Sequence, residues 1–438
     1  MRQKLSRRSW MRIASLAAFG SVIQKTWPNK EPGPGIPFST AAENFPYRSP
    51  AKSTQPQADI PDYEKPVFDL KSKFSETIPI ESIELLHRDN QYFVRTRTSS
   101  GQWGIVKTKQ IREFIPIFKD LVAPLYIGKD ARDLESLADL VYLKNYKLAG
   151  QSLWCPLAYI EQSTFDMLGR IAGKPAGELM GGRIRNEIPV YLSGSARELS
   201  AEEEVDIYVR GVEETGAAAV KFKIGGRMSR NADAWPGRTE KLVHLARKRL
   251  GEKVLLFADA NGSYDSAKGI EVGRMLESLD YRFFEEPCPW QEYSETMKVA
   301  HTLDIPIACG EQDSSIWQFR WMMENGVMDI TQCDLNYNGG FTRSARLARM
   351  AEKFGMEIIP HNTQTGVASV NILQFASRTP NIGSWIEYPW RKPQQAETWY
   401  SPNFIIRDGK LKIPDGPGLG VEIDPDYLAA AELVTTIS

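Results

Sequence analysis

Three carboxylates occupy positions where short apolar runs end, and the runs have the composition of buried strands. Asp259 ends Val254–Asp259, Glu285 ends Arg282–Glu285, and Glu311 comes two residues after Cys309. If these strands are parallel neighbours, their carboxyl ends meet at one edge. Three uncompensated anions in one cavity would be strongly unfavourable, so a cation is expected between them. Oxygen ligands favour Mg²⁺, with Mn²⁺ as an alternative, whereas separate salt bridges are the non-catalytic interpretation.

Two lysines alternate with apolar residues in the run Ala218–Ile224. Because side chains of a strand alternate between its faces, Lys221 and Lys223 share one face. We expect Val220, Phe222 and Ile224 to pack outward on helices and both lysines to point inward. Two ammonium groups close together disfavour each other's charge, so a lysine with a lowered pKa would be available as a base.

One histidine lies at a strand end. His361 follows Met356–Pro360, and Asp334 ends the preceding run. A neighbouring carboxylate could accept the ring N–H and fix the tautomer, which gives an oriented acid or base. Glu387, at the end of the last run, is either an acid that faces the substrate or a partner in a salt bridge.

These residues need a framework that brings strand ends together. Eight β-branched runs alternate with amphipathic helices, which predicts an α/β fold of the TIM-barrel type with reactive groups at the carboxyl ends of its strands. The first helix should begin with a capping box of Ser200 and Glu203 and end at Gly216. The eight predicted strands are Ile188–Leu192, Ala218–Ile224, Val254–Asp259, Arg282–Glu285, Ile305–Cys309, Met328–Cys333, Met356–Pro360 and Ile382–Glu387.

The chain before the barrel has three predicted segments. Residues 1–26 combine a cationic start, Arg7-Arg8 included, with a short apolar stretch, which resembles a twin-arginine signal peptide and predicts export, to the periplasm in a bacterium. Residues 27–74 are rich in proline and polar residues, as in a linker or arm. Residues 75–186 predict a small α+β capping domain that begins with a hairpin around Asp89. The barrel is assigned to residues 187–400, and residues 401–438 form a carboxyl-terminal segment.

Composition excludes several classes of protein. Lys+Arg 54 against Asp+Glu 55 gives a net charge of -1, so no basic surface for nucleic acid is expected. No apolar run approaches the roughly 20 residues of a membrane span. The four cysteines are interpreted as buried thiols rather than a disulfide framework.

Taken together, these motifs resemble the mandelate racemase subgroup of the enolase superfamily, over roughly residues 75 to 425. The resemblance implies an enolase-like modified barrel with an amino-terminal cap, to which the segment Gly416–Glu422 returns. One departure is Cys333, where the family often has proline. The resemblance rests on Lys221 and Lys223, on Asp259, Glu285 and Glu311 as metal ligands, on the Asp334/His361 dyad, and on Glu387.

The resemblance implies Mg²⁺-dependent removal of the proton alpha to a carboxylate, with the enediolate stabilised by the metal and Lys221. Lys223 and His361 would face the substrate from opposite sides. The first hypothesis is an acid-sugar dehydratase (a lyase) acting on an aldonate or aldarate. A racemase or epimerase (an isomerase) and a non-catalytic exported sugar-acid-binding barrel are the alternatives. The resemblance also implies a small carboxylate substrate as partner and a homo-oligomer. Substrate contacts are expected from Asn261, Arg227 and, in the cap, Trp154.

Overall fold

The computed structural model describes residues 65–194 and 196–438. The signal peptide and most of the linker that the sequence predicts lie outside this range, so export stays a prediction. Among the described helices, none combines the length and the apolar character that crossing a bilayer requires.

An antiparallel sheet forms one side of the cap. β1 (Ile80–Arg88) and β2 (Gln91–Thr98) make the predicted hairpin, and β3 (Trp103–Lys107) extends it. Asp89 and Asn90 connect the strands with φ angles of 48° and 59°. Both residues tolerate this left-handed conformation, and such turns match the twist of a hairpin. The hairpin prediction is therefore confirmed.

α2 (Gln151–Ala172) packs on this sheet, and α1 (Leu134–Asn145) packs on α2. Residues 153–169 of α2 are all buried, because this helix lies between the cap sheet and the barrel helices. Short helical turns complete the cap, at Arg112–Phe114, Ile115–Ile117, Phe118–Val122, Ala123–Leu125, Ala131–Asp133, Tyr146–Leu148 and Ala176–Leu179.

The boundary of the predicted linker needs a correction. Phe68, Leu70 and Phe74 are buried in the hydrophobic core. The backbone amide of Phe68 also donates a hydrogen bond to Glu135 on α1, at 2.7 Å. Residues 67–74 therefore belong to the packed cap, since their apolar side chains are sufficient to hold this end of the segment in place.

The eight predicted parallel strands are present, as β4 (Glu187–Ser193), β5 (Ala219–Lys223), β6 (Leu255–Asp259), β7 (Tyr281–Glu285), β8 (Ile307–Cys309), β9 (Ile330–Thr331), β10 (Glu357–Ile358) and β11 (Ile386–Pro389). They pair in the order β10-β9-β8-β7-β6-β5-β4-β11. A bridge between Ile358 and Ile382 connects β10 with the segment before β11. The predicted barrel is thus confirmed, although β9 and β10 are only two residues long.

Helices alternate with these strands and cover the outside. α3 begins at the predicted capping box of Ser200 and Glu203, and Gly216 ends it in the left-handed conformation at a φ of 71°. The barrel helices are α3 (Ala201–Thr215), α4 (Arg238–Leu250), α5 (Ser266–Ser278), α6 (Tyr293–Thr302), α7 (Ile316–Glu324), α8 (Phe341–Lys353) and α9 (Val370–Arg378).

The two faces of the barrel strands have separate cores. Val220, Phe222 and Ile224 point outward and belong to the main core with the helices, as predicted. Inside the barrel, Phe257 and Phe283 stack with ring centroids 4.1 Å apart, and Tyr191 packs edge-on against Phe257. This aromatic layer fills the barrel interior, so polar groups are left at the strand ends.

The carboxyl-terminal segment pairs with strands of both the barrel and the cap. β13 (Lys410–Lys412) pairs with β4, and β12 (Tyr400–Ser401) pairs with β14 (Glu422–Ile423). After a short helix, Pro425–Ala429, the last strand β15 (Glu432–Ile437) pairs antiparallel with β1 of the cap.

Candidate active site

Three carboxylates come together at the ends of β6, β7 and β8. Ligand oxygens of Asp259, Glu285 and Glu311 all lie within 4.8 Å of one another, and the three residues are buried. Their strands are adjacent in the barrel, so each side chain is placed by the end of its own strand. The structure therefore brings together the three residues that the sequence predicts as metal ligands.

The region around these carboxylates carries an excess of negative charge. Burial and the neighbouring Asp259 raise the pKa of Glu285 well above its usual value. Glu286 is also buried, its Oε1 atom has no hydrogen-bond partner among the described residues, and burial together with Glu311 raises its pKa. The lysines of β5 offset only part of this charge.

Lys221 lies beneath the triad and is fully buried. Its Nζ atom is 2.7 Å from Glu285 Oε2 and 2.9 Å from Glu387 Oε1. Burial alone would lower the pKa of Lys221, but these carboxylates raise it well above the ordinary value. A lowered pKa is therefore wrong for Lys221, which is a fixed cation that compensates the carboxylates and is not on the cavity wall.

Lys223 and His361 contact opposite ends of the triad. The Lys223 ammonium pairs with Asp259, the first carboxylate. His361 Nε2 lies 3.3 Å from Glu311 Oε2, the third carboxylate, although that oxygen has no hydrogen bond of proper geometry among the described residues. Lys223 is on β5, and His361 follows β10. Around the barrel, β6 to β9 lie between these two strands on one side, and β4 and β11 lie between them on the other. The two proton-transfer candidates thus approach the triad from different sides.

Asp334 accepts hydrogen bonds at both carboxylate oxygens. Its Oδ2 atom is 2.9 Å from His361 Nδ1, as the sequence predicts, and 2.6 Å from Lys109 Nζ. The backbone amides of Asn336 and Tyr337 donate to Oδ1 at 2.8 and 3.2 Å. Burial would raise the pKa of Asp334, but Lys109 and His361 hold it below the usual range, so the carboxylate is ionised.

Glu387 is both a salt-bridge partner and part of the cavity wall. It pairs with Lys221 and accepts a hydrogen bond from the Asn362 backbone amide at 2.9 Å. Burial opposes its ionisation, yet Lys221 and His361 lower the pKa of Glu387 to about 2. An ionised carboxylate only accepts hydrogen bonds. Glu387 is therefore placed as an acceptor of hydrogen bonds on the cavity wall.

A cavity of about 300 Å³ opens above these groups and is lined by residues of the cap and the barrel. Arg227 is on its wall and donates to Asn261 Oδ1 at 3.3 Å. The Asn261 side chain in turn donates to Asp259 at 3.3 Å. Of the predicted substrate-binding residues, Arg227 reaches the cavity, and Asn261 connects it to the first carboxylate.

Trp154 is in a different place from the one predicted. Its indole ring stacks with Tyr142 at 5.8 Å, and the Arg343 guanidinium lies 3.8 Å above it. These residues line a separate cavity of about 380 Å³ that contains none of the carboxylates or proton-transfer groups described above. Trp154 faces that cavity because its helix, α2, has turned the ring toward α1, a rotation that the sequence spacing did not specify.

Several residues of the site were missed in the sequence. Gln332 Nε2 donates to Glu285 Oε2 at 2.9 Å, and Gln312 Nε2 donates to Glu311 Oε1 at 2.9 Å. Arg197 donates to Asn261 Oδ1 at 3.0 Å. Gln312 and Gln332 adjoin predicted site residues, so position along the chain could have indicated them. Lys109 had no such signal, because it is 225 positions from its partner Asp334.

The donor set fits a divalent ion that prefers oxygen. The three carboxylates are buried and close together, and Lys221 and Lys223 offset only part of their charge. All-oxygen ligation by carboxylates, with positions left for water and substrate, is typical of Mg²⁺. The four cysteines are free, buried thiols and are not part of the triad.

Comparison with known proteins agrees with this arrangement. Residues 204–427, about half of the 438-residue chain, match the family described as "Enolase C-terminal domain-like". Arabinonate dehydratase of Saccharolobus solfataricus is 29% identical over 309 residues, which cover 69% of this chain and 79% of that protein. D-galactarolactone cycloisomerase of Agrobacterium fabrum is 29% identical over 318 residues, with 69% and 80% covered.

A solved structure is similar over most of the described chain. It is a mandelate racemase/muconate lactonizing protein from Paracoccus denitrificans, complexed with magnesium. The two chains are 28% identical and superpose with a TM-score of 0.75, which covers 82% of this chain and 100% of that chain.

Proposed function

The chain belongs to the enolase C-terminal domain-like family, and from this membership we propose that it dehydrates an acid sugar, an aldonate or aldarate, to a 2-keto-3-deoxy acid. It is an enzyme, and the relatives named above include a lyase and an isomerase. One observation carries the proposal: Lys223 and His361 contact opposite ends of a buried carboxylate triad.

Asp259, Glu285 and Glu311 would hold Mg²⁺. When bound, the ion would withdraw electrons from the substrate carboxylate and so make the neighbouring C–H bond more acidic. Lys221 holds Glu285 and Glu387 in place, because its ammonium group contacts both, and it lowers the pKa of Glu387.

Lys223 and His361 would share the proton transfers. One of them, as the free amine or the neutral imidazole, takes the proton from the α-carbon, and the electron pair of the broken C–H bond forms the enediolate. The other, in its protonated form, gives a proton to the β-hydroxyl group, so that the C–O bond breaks and water leaves. The resulting enol becomes the 2-keto acid. Which group acts first depends on the configuration of the α-carbon.

Arg227 and Arg391 provide positive charge on the cavity wall. An aldonate has one carboxylate and an aldarate has two, so these arginines are suited to a hydroxyl-rich chain or to a distal carboxylate. The names of the relatives support the same substrate class, since one contains arabinonate and another galactarolactone.

The test is a screen of aldonates and aldarates with Mg²⁺, in which 2-keto acids are detected with semicarbazide. The proposal predicts a keto-acid product from at least one acid sugar, and Lys223→Ala and His361→Ala controls should give none. A racemase or epimerase, which uses the same residues, is the second candidate. In D₂O it would exchange the α-proton without forming a keto acid. If every substrate is bound but neither exchanged nor dehydrated, the chain only binds sugar acids.

A further inference from the structure

Lys109 connects the cap to the proton-transfer groups of the barrel. It comes two residues after β3, and its backbone amide donates to Tyr159 Oη at 3.1 Å, which fixes the segment to α2. From there the side chain reaches Asp334 Oδ2 at 2.6 Å and lies 4.2 Å from the ring centroid of Tyr337. The cap therefore supplies a cation to the carboxylate that holds His361.

The geometry fixes Asp334 in one orientation. Both carboxylate oxygens are occupied, Oδ1 by two backbone amides and Oδ2 by Lys109 and His361. A carboxylate with four donors cannot rotate without losing hydrogen bonds in a buried site, which is costly. Since His361 Nδ1 is bound to this oxygen, its other nitrogen, Nε2, is directed toward Glu311 and the cavity.

The charges around Asp334 indicate why His361 alone is not a sufficient partner for this carboxylate. An imidazole that serves as a base is neutral for part of the reaction, and during that time it does not balance the charge of Asp334. A buried carboxylate without a counter-charge is strongly unfavourable. Lys109 balances Asp334 throughout, so that Asp334 stays ionised and keeps its hydrogen bond to His361 Nδ1.

We propose that Lys109 is a positioning residue that acts on His361 through Asp334. The orientation of His361 then depends on the packing of the cap against the barrel. This proposal rests on the proposed function, because it assigns Lys109 to one of the two proton transfers. A cation that only binds substrate would instead affect both transfers equally, and a purely structural lysine would affect neither selectively.

The experiment measures exchange of the α-proton in D₂O for two C2-epimers of one aldonate, with the β-elimination product quantified separately. One epimer presents its α-proton to Lys223 and the other to His361. These are assigned with Lys223→Met and His361→Asn, each of which should abolish exchange in one epimer. The tested variants are Lys109→Met and Lys109→Arg. Lys107→Met is the matched control, two positions earlier in the chain and without a contact to Asp334 among the described residues.

The proposal predicts that Lys109→Met slows exchange in the epimer that faces His361 by roughly 10- to 100-fold. Exchange in the epimer that faces Lys223 should stay within about twofold of the unmodified enzyme, a change of less than about 0.5 kcal/mol in the barrier. Lys109→Arg, which keeps the charge, should recover part of the loss, and Lys107→Met should resemble the unmodified enzyme. Equal losses for both epimers, or no loss, would overturn the proposal.

A second measurement does not depend on turnover. The chain has four histidines, so ¹⁵N-histidine labelling can resolve the His361 Nδ1–H proton, assigned by its disappearance in His361→Asn. The proposal predicts that this proton shifts or broadens in Lys109→Met and is unchanged in Lys107→Met. An unchanged resonance in Lys109→Met would contradict it. If the unmodified enzyme converts none of the screened acid sugars, the proposed function fails, and the resonance still decides the role of Lys109.

Discussion

At the scale of residues, the two lysines of β5 illustrate how environment decides function. Lys221 and Lys223 lie on the same strand face, but Lys221 is surrounded by Glu285 and Glu387, whereas Lys223 is on the cavity wall beside Asp259. The strong counter-charges hold Lys221 protonated. Of these two lysines, only Lys223 is therefore placed to transfer a proton to or from a bound substrate.

Lys223→Ala and His361→Ala should each lower kcat by at least roughly 10²- to 10⁴-fold, the usual contribution of a general acid or base. Both side chains also pair with buried carboxylates, so each variant should lose some stability, and urea denaturation checks that it is still folded in the assay. Keto-acid formation and urea denaturation would be measured on the same preparations. Normal turnover in both variants would remove these residues from the mechanism.

At the scale of elements, strand ends and helix ends position the polar groups. Glu161, on α2, is fully buried and accepts hydrogen bonds from the backbone amide of Thr342 at the start of α8. Gly340 precedes α8 with a φ of 95°, and a Cβ atom there would collide with the Glu161 carboxylate. The cap and the barrel are thus joined by a carboxylate at a helix amino terminus.

This contact predicts a pH dependence of stability. Burial raises the pKa of Glu161 from 4.5 to about 7, although the hydrogen bonds from Thr342 oppose the shift. The folded state then binds a proton at Glu161 more tightly than the unfolded state does, and this tighter binding stabilises the fold. The stabilisation is complete below pH 4.5 and is lost as the pH rises through about 7.

Glu161→Gln removes this titration. Its effect on the free energy of unfolding should therefore be more favourable at about pH 8.5 than at about pH 5.5, by roughly 1 to 3 kcal/mol. Urea denaturation at the two pH values measures this difference. The exposed Glu113→Gln serves as the control. An equal effect of Glu161→Gln at both pH values would show that Glu161 does not titrate in this range.

Sequence reasoning located the elements better than it located the contacts between them. The barrel strands and the capping box of α3 could be predicted, because the period of apolar residues and local capping depend on neighbouring positions. The triad followed from the strand ends. Lys109 was missed and Trp154 was expected at the wrong cavity, since both positions depend on how the cap packs, and no local pattern encodes that packing.

At the scale of the whole molecule, side chains of the cap contribute to the active site. Lys109 reaches Asp334, and Gln151 Nε2 donates to Gln312 Oε1 at 2.9 Å. Gln312 in turn contacts Glu311, the third carboxylate. The site is therefore assembled jointly by the cap and the barrel, and its metal affinity should be linked to the stability of the folded chain.

Mg²⁺ should stabilise the folded protein, because the triad exists only when the barrel is formed. A concentration 100 times the dissociation constant would add about 2.7 kcal/mol to the free energy of unfolding. EDTA should abolish turnover, and added Mg²⁺ should restore it. Asp259→Asn should unfold at the same denaturant concentration with and without Mg²⁺. If Mg²⁺ stabilises this variant and the unmodified protein equally, the ion binds elsewhere.

The most direct test of the triad is an anomalous difference map from crystals grown with Mn²⁺ as a heavier substitute for Mg²⁺. We predict one strong peak at about 2.0 to 2.2 Å from an oxygen of each of Asp259, Glu285 and Glu311, with Lys223 and His361 on different sides of it. A well-occupied ion elsewhere and no peak between the three carboxylates would contradict the account.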